Sequence, residues 1–233
     1  MSHMRLNKYL SKCGHCSRRA ADRLIEAGMV RLNNETVELG CYVIEGNIIS
    51  VEGSEYVVTL EEKKRKTYMF YKPKGVICTL SEHETPNLLE YFPDAGHVYP
   101  VGRLDKDSEG LLLMTNDGDL AQEMTHPSFQ HEKKYQVRVT RVINDKDLES
   151  LSKGVDIEDY KTQPCRVQRK SKTEFFIWLK EGKNRQIRRM LLALDYNVSR
   201  LRRVAIGRLS IVLQTGDFVE LSESDIQLMY LNE

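Results

Sequence analysis

The chain has 233 residues, 40% of them hydrophobic and 30% charged, with a formal net charge of +1, which is the profile of a water-soluble globular protein. That length holds one sizeable core and a small appended domain. No uncharged apolar stretch approaches the roughly 20 residues of a membrane span, Met1 to Cys13 lacks the apolar segment of a secretory signal, and five scattered cysteines suit a reducing compartment, so the expectation is a cytoplasmic protein without a membrane partner.

The near-neutral total hides two basic patches. From Arg5 to Arg31 seven Lys or Arg stand against Asp22 and Glu26, and from Lys180 to Arg208 nine stand against Glu181 and Asp195. A solvated face accounts for one such run, but two on a neutral protein form a footprint for a polyanion.

In chain order, the Ser2-His3-Met4 triplet reads as an expression scar and is left outside the fold. Leu6–Cys13 is a short helix. Ser17 caps a second helix, Arg18–Ala27, with Gly28 at the position after its end. Its Ala21, Leu24 and Ile25 form an apolar stripe, and Arg19 and Arg23 lie one turn apart on another face. Met29–Leu32, an Asn33-Asn34 turn and Glu35–Leu39 read as a hairpin, followed by a strand at Ile48–Val51. This order resembles the small RNA-binding domain first known from a small-subunit ribosomal protein, the alpha-L motif, over residues 5–52. Cys13 and Cys16 form a lone CxxC. Without a second pair it reads as two buried thiols rather than a zinc site, so no metal is expected.

Residues 53–66 read as a linker, its clearest part being the charge block Glu61–Lys66, and residues 67–233 as the larger domain. Thr67–Tyr71 is a strand that Val76–Thr79 can continue, Leu88–Tyr91 a short helix between loops, and His97–Val101 a strand. Leu111–Met114 is an apolar run bounded by Gly110 and by Asn116-Asp117-Gly118, which predicts a strand buried on both faces. The stretch before it, Arg103, Asp105, Asp107 and Glu109 in alternation, is a turn delivered by the core. Charges so close to a buried strand need a partner, a cation or a ligand.

Asp119 is predicted to cap a helix, Leu120–Met124, ended by His126-Pro127. Lys133–Val139 alternates, with Tyr135, Val137 and Val139 on one face, so Tyr135 faces a core or a pocket. Asn144 or Asp145 opens a helix to Lys153, and Glu174–Leu179 is an apolar strand. Strands joined by short helices and turns predict α+β with a mixed, largely antiparallel sheet. From about Asn184 a helix places Ile187, Met190, Leu191 and Leu194 in a core stripe. Its start at Gly182-Lys183-Asn184 reads as an anion site and a source of the cation that the Asp105 edge needs.

Gly102-Arg103-Leu104-Asp105 with Asp107, Gly110 and Thr115-Asn116-Asp117-Gly118 resembles the signature of the RsuA-type rRNA pseudouridine synthases. Lys134-Tyr135-x-Val137 and Glu181-Gly182-Lys183-Asn184-Arg185-Gln186-Ile187-Arg188-Arg189-Met190 resemble the family's other two motifs, and the alpha-L domain stands where the family has it. NRQIRRM and HEKKY look closest to the members acting on large-subunit rRNA, one of which also modifies a tRNA.

The resemblance implies isomerisation of a uridine with no cofactor. It makes Asp105 the catalytic carboxylate, kept ionised by Lys183, Arg185 or Arg188, and puts Tyr135 against the target base. Arg103 would fill the gap left by the extruded nucleotide and Ile187 would close the pocket. RNA contacts are implied for Arg103, Leu104, Lys106, Gln186, Ile187 and Arg188, and for Arg5, Lys8, Arg18, Arg19 and Arg23 of the small domain. Nothing in the chain resembles an oligomerisation helix, so a monomer is expected.

Three other readings compete. Asp105, Asp107 and Glu109 offer oxygens to Mg²⁺ or Ca²⁺, but Arg103 and Lys106 would intrude on that shell. A non-catalytic RNA-binding ribosome-assembly factor fits the two patches and leaves Asp105 unexplained. A glycosidase would use paired carboxylates, but tyrosine and arginine among phosphate-seeking residues favour nucleic acid.

Overall fold

The computed structural model describes residues 3–60, 64–81, 83–92 and 98–232. It divides into a unit ending at Arg65 and one beginning at Lys66.

In the first unit the helix Leu6–Cys13 buries Leu6, Tyr9 and Leu10 and stops at Gly14, whose φ of +83° no ordinary side chain favours. The Ser17 side chain accepts from Ala20 N at 3.2 Å and opens the helix Arg18–Glu26, which buries Ala21 and Ile25. Both helices pack on Val30, Val43, Ile49 and Val51. Four strands pair in the order Glu35–Thr36, Val30–Leu32, Ile48–Val51 and Ser54–Val57.

Several expectations change here. Ser54–Val57 is a sheet strand and not linker, because Glu52 and Gly53 both take positive φ and turn the chain into a hairpin without an Asn-Gly signal. Of the linker's charge block, residues 61–63 lie outside the described residues. His3–Arg5 pairs with Tyr42–Ile44 and Met4 packs on the core, so two residues of the supposed scar belong to the fold. The Glu35–Leu39 strand shrinks to Glu35–Thr36. Cys13 is exposed and Cys16 half-buried, so the pair is not two buried thiols: Cys13 ends its helix on the solvent side.

The second unit is built on a nine-stranded sheet. Seven strands run in the order Arg166–Arg169, Glu174–Leu179, Lys133–Val139, Val198–Ile206, Glu109–Thr115, Thr67–Lys72 and Phe218–Glu220, while Tyr99–Val101 and Leu209–Ser210 attach to its middle. Among the strands of this sheet only Glu109–Thr115 with Val198–Ile206 is a parallel pair, through Arg202 opposite Glu109 and Arg203 opposite Gly110. The class is therefore α+β with a mixed sheet. Leu111 to Met114 are each 0% exposed, as a strand covered on both faces must be.

One core holds Val137, Phe175 and Ile177 under Leu148, Leu151, Met190 and Leu191, and another sets Leu111 and Leu113 against Leu120 and Met124. The helix Gly118–Thr125 is capped by Asp117, which accepts from Asp119 N and Leu120 N, so Asp119 is a first-turn residue rather than the cap. Asn144 caps Asp145–Lys153. Val76–Thr79 is loop, and Leu88–Glu90 is a single 3-10 turn. The strand expected from His97 runs over Tyr99–Val101, with His97 outside the described residues.

Candidate active site

Asp105 lies in the loop between Tyr99–Val101 and Glu109–Thr115. Leu104, 6% exposed, anchors that loop in a core with Phe70 and Leu112, and its N–H donates to Cys78 Sγ at 3.3 Å. On the other side Ser108 N donates to Asp105 O at 3.0 Å, and Gly75 N to Lys106 O at 2.7 Å. A buried neighbour and two backbone bonds thus fix a half-buried carboxylate.

The other acids of the loop are committed. Asp107 pairs with Arg185 at 3.5 Å, and Glu109 with Arg200. Arg188 donates to Asp107 O at 3.0 Å and to Ser108 Oγ at 3.4 Å. These arginines stand where a divalent cation's oxygen shell would have to form. Lys72, fully buried, donates to Pro73 O at 2.8 Å and Val76 O at 2.7 Å. Burial pulls its ammonium below the usual lysine range, while Cys78, Asp105, Glu109 and Asp107 oppose that. The Cys78 thiol is pushed up by burial.

Of the three cations expected on Asp105, none makes an ion pair with it. Lys183 pairs with Glu181 at 3.5 Å and lies 3.4 Å over the Tyr160 ring, and Arg185 takes Asp107. Arg188, lowered by burial and then by Arg185, interacts favourably with Asp107 and Asp105 without bonding the Asp105 carboxylate. The cause is local. The helix begins at Gln186 rather than near Asn184, after Arg185 in a left-handed conformation at φ +48°, and Lys183 falls in the preceding turn.

Three residues expected to touch RNA are enclosed. Leu104 and Ile187, 6% and 5% exposed, sit in cores because the loop and the helix stripe use them for packing. Gln186, 4% exposed, donates to Glu181 Oε1 at 2.5 Å and accepts from Lys183 N, so its amide is spent holding the turn. Arg103 and Lys106 are exposed. In the first unit Arg5, Arg18, Arg19 and Arg23 are exposed and Lys8 is half-buried.

A cavity of about 410 Å³ brings together Gly102, Arg103, Tyr135 and Lys183 from three separated stretches. Its wall also holds His131, Lys133 and Arg203, which the sequence reading did not single out. Lys133 was findable, standing two residues before Tyr135 on the same strand face. Arg203 was not, because it stands at a bulge: Lys134 faces Ala205 and Tyr135 faces Arg203, so Val204 has no residue opposite it on the neighbouring strand, and an arginine in a buried strand position carries no apolar signal.

With this geometry in view, comparison with known proteins is decisive. Residues 66–193 match the family of RNA pseudouridylate synthases, and residues 4–40 match the S4 domain. The chain belongs to the RNA pseudouridylate synthase family. It is an isomerase with an N-terminal S4 domain. It is 37% identical over 226 residues, 97% of this chain and 78% of the relative, to the dual-specificity RNA pseudouridine synthase RluF of Shigella flexneri. It is 34% identical to the ribosomal large subunit pseudouridine synthase B of Bacillus subtilis, covering 96% of this chain and 94% of the relative. A crystal structure of a pseudouridylate synthase superposes with a TM-score of 0.69 at 28% identity, over 97% of this chain and 99% of that one.

Proposed function

We propose that the synthase isomerises a uridine of large-subunit ribosomal RNA, with Asp105 as the catalytic carboxylate and Tyr135 against the base. Relatives named for the large ribosomal subunit and for dual specificity support this substrate class. The observation that carries the residue assignment is the state of the loop's acids. Asp107 and Glu109 are taken by Arg185 and Arg200, while among the described residues no ion pair occupies Asp105.

In the reaction the bond from C1′ to N1 breaks, the base turns, and C5 joins C1′. The C5 proton leaves to solvent and N1 gains one, so no electrons are exchanged with a cofactor. One fixed carboxylate serves as nucleophile or base. The uridine must leave its stack to reach it. Arg103 takes the vacated position in this proposal and Tyr135 offers its ring to the extruded pyrimidine, supported by the exposure of Arg103 and by both residues lining the cavity. Lys183, on the cavity wall, and Arg185, paired with Asp107, complete the proposed catalytic set, and Lys106, Arg188 and the exposed arginines of the first unit hold the strand through phosphates. The proposal includes a monomer acting in the cytoplasm. Among the described residues no helix is long and apolar enough to cross a membrane.

The test is tritium release from rRNA labelled at C5 of uridine, with large-subunit, small-subunit and transfer RNA supplied separately and EDTA present. The wild type releases tritium from the large-subunit RNA, and Asp105→Asn releases none while retaining its fold and RNA affinity. Full turnover by Asp105→Asn, or its failure to fold, sinks the catalytic assignment; release from another RNA alone sinks the substrate assignment.

A further inference from the structure

Arg203 is 3% exposed, and its Nε donates to Leu111 O at 2.6 Å across the junction of the two parallel strands. Its Nη2 is buried without a hydrogen-bond partner, although Arg203 lines the cavity. Beside it Lys133 spends one hydrogen bond on His131 O at 3.0 Å. His131, 8% exposed, also leaves its Nε2 unpartnered. Buried donors are rarely left without a partner, because their lost hydration then goes uncompensated. Two adjacent cations withdrawn from water add a repulsion that a bound anion relieves. Burial, with Arg203 next, pulls Lys133 down to about 8.

The protein itself does not supply that anion. Glu181 is the one acid among the lining residues, and it is engaged by Gln186 at 2.5 Å and Lys183 at 3.5 Å. Arg103, Lys180 and Lys183 add further positive charge around the same space. The neutral uracil ring offers no charge to match two cations, whereas each nucleotide carries one phosphodiester. A guanidinium edge plus an ammonium is the donor pair that phosphate oxygens take.

Resting on the synthase reading above, we propose that Lys133 and Arg203 form a phosphate subsite that grips an RNA backbone phosphodiester beside the extruded uridine. Lys133 shares a strand face with Tyr135, one residue between them, so a phosphate held there sets the base against that ring. The contact positions the strand and reads no sequence.

Binding of a uridine dodecamer, followed by fluorescence anisotropy across a KCl series, tests this. Lys133→Met keeps the aliphatic stem and removes the charge. It is expected to weaken binding about tenfold at low salt and to flatten the plot of log K against log[salt] by about 0.7, the contribution of one phosphate on a single strand. Lys133→Arg restores both, and Lys133→Gln serves in place of the Met variant should that one not fold. On rRNA the loss appears as a raised KM with kcat nearly kept. A folded variant with unchanged affinity and salt slope overturns the subsite. If the slope falls as expected while the wild type releases no tritium from any RNA, the synthase reading fails and the subsite stands.

Discussion

Replacing Gly110 with alanine puts a methyl group where the two parallel strands touch. At Gly110 φ is +104°, and an added Cβ would stand 2.2 Å from Arg203 O and 2.9 Å from Arg203 N, both backbone atoms that cannot swing aside. The strained backbone costs about 1–3 kcal/mol. Forcing the strands apart costs a further ~1–3 kcal/mol, as overpacking does elsewhere. Together these give about 2–6 kcal/mol, and at roughly 2–4 °C per kcal/mol for a unit of this size the melting temperature falls by about 4–24 °C. Thermal unfolding followed by far-ultraviolet circular dichroism measures it. The damage reaches function as well, because the bond from Arg203 Nε to Leu111 O spans this junction and the Asp105 loop feeds directly into Gly110. At a temperature where the variant is folded, tritium release should fall more steeply than RNA binding. A melting temperature within about 2 °C of wild type would show that the junction yields freely and would refute the argument.

Two further outcomes follow from charge. Substituting Arg18, Arg19 and Arg23 together by Gln, all exposed on the second helix, should leave the fold intact and lower the salt slope of RNA binding by about 2; an unchanged slope removes that helix from the RNA interface. Lys133 titrates at about 8 in the folded protein against 10.5 ordinarily. Between those values the unfolded chain holds a proton that the folded one has shed, so Lys133 makes stability rise with pH there, by at most ~3 kcal/mol, and contributes no slope below about 8. Cys165, pushed up to about 12 by burial, works the other way above its ordinary 9.0, so the quantity to measure is wild type minus Lys133→Met in urea unfolding at each pH. A difference that does not grow between pH 8 and 10 contradicts the burial of that ammonium.

What the sequence disclosed and what it withheld divide along a physical line. Leu111–Met114, Lys133–Val139 and Glu174–Leu179 are legible because burial of one or both faces writes itself into apolar spacing. Ser17 and Asn144 are legible because a cap is a local bond. Val198–Ile206 is not, since five of its nine positions are Val, Leu, Ala or Ile out of strict alternation and a bulge shifts its register. Arg203 inherits that illegibility. The pairing of Arg185 with Asp107 escapes for another reason: a single left-handed residue resets which side chains the following helix presents, and no spacing rule predicts φ +48° at an arginine.

Lys72 is the residue whose role the sequence conceals most completely, a lysine at the end of the strand Thr67–Lys72. Its ammonium is fully buried and bonded only to carbonyls among the bonds described, Pro73 O and Val76 O. A cation held by neutral acceptors in a desolvated place keeps its field unspent, and Asp105, Asp107 and Glu109 all feel it. Direct ion pairs then go to Asp107 and Glu109 through Arg185 and Arg200. The loop is thereby supplied with positive potential from Lys72, while among the described residues no ion pair occupies Asp105. A cation bonded directly to Asp105 would favour its charge more strongly but would compete with the substrate for the same oxygens. On the proposed assignment of Asp105, a buried lysine at one remove leaves those oxygens to the substrate, which is what a carboxylate that is to approach a sugar or a base requires.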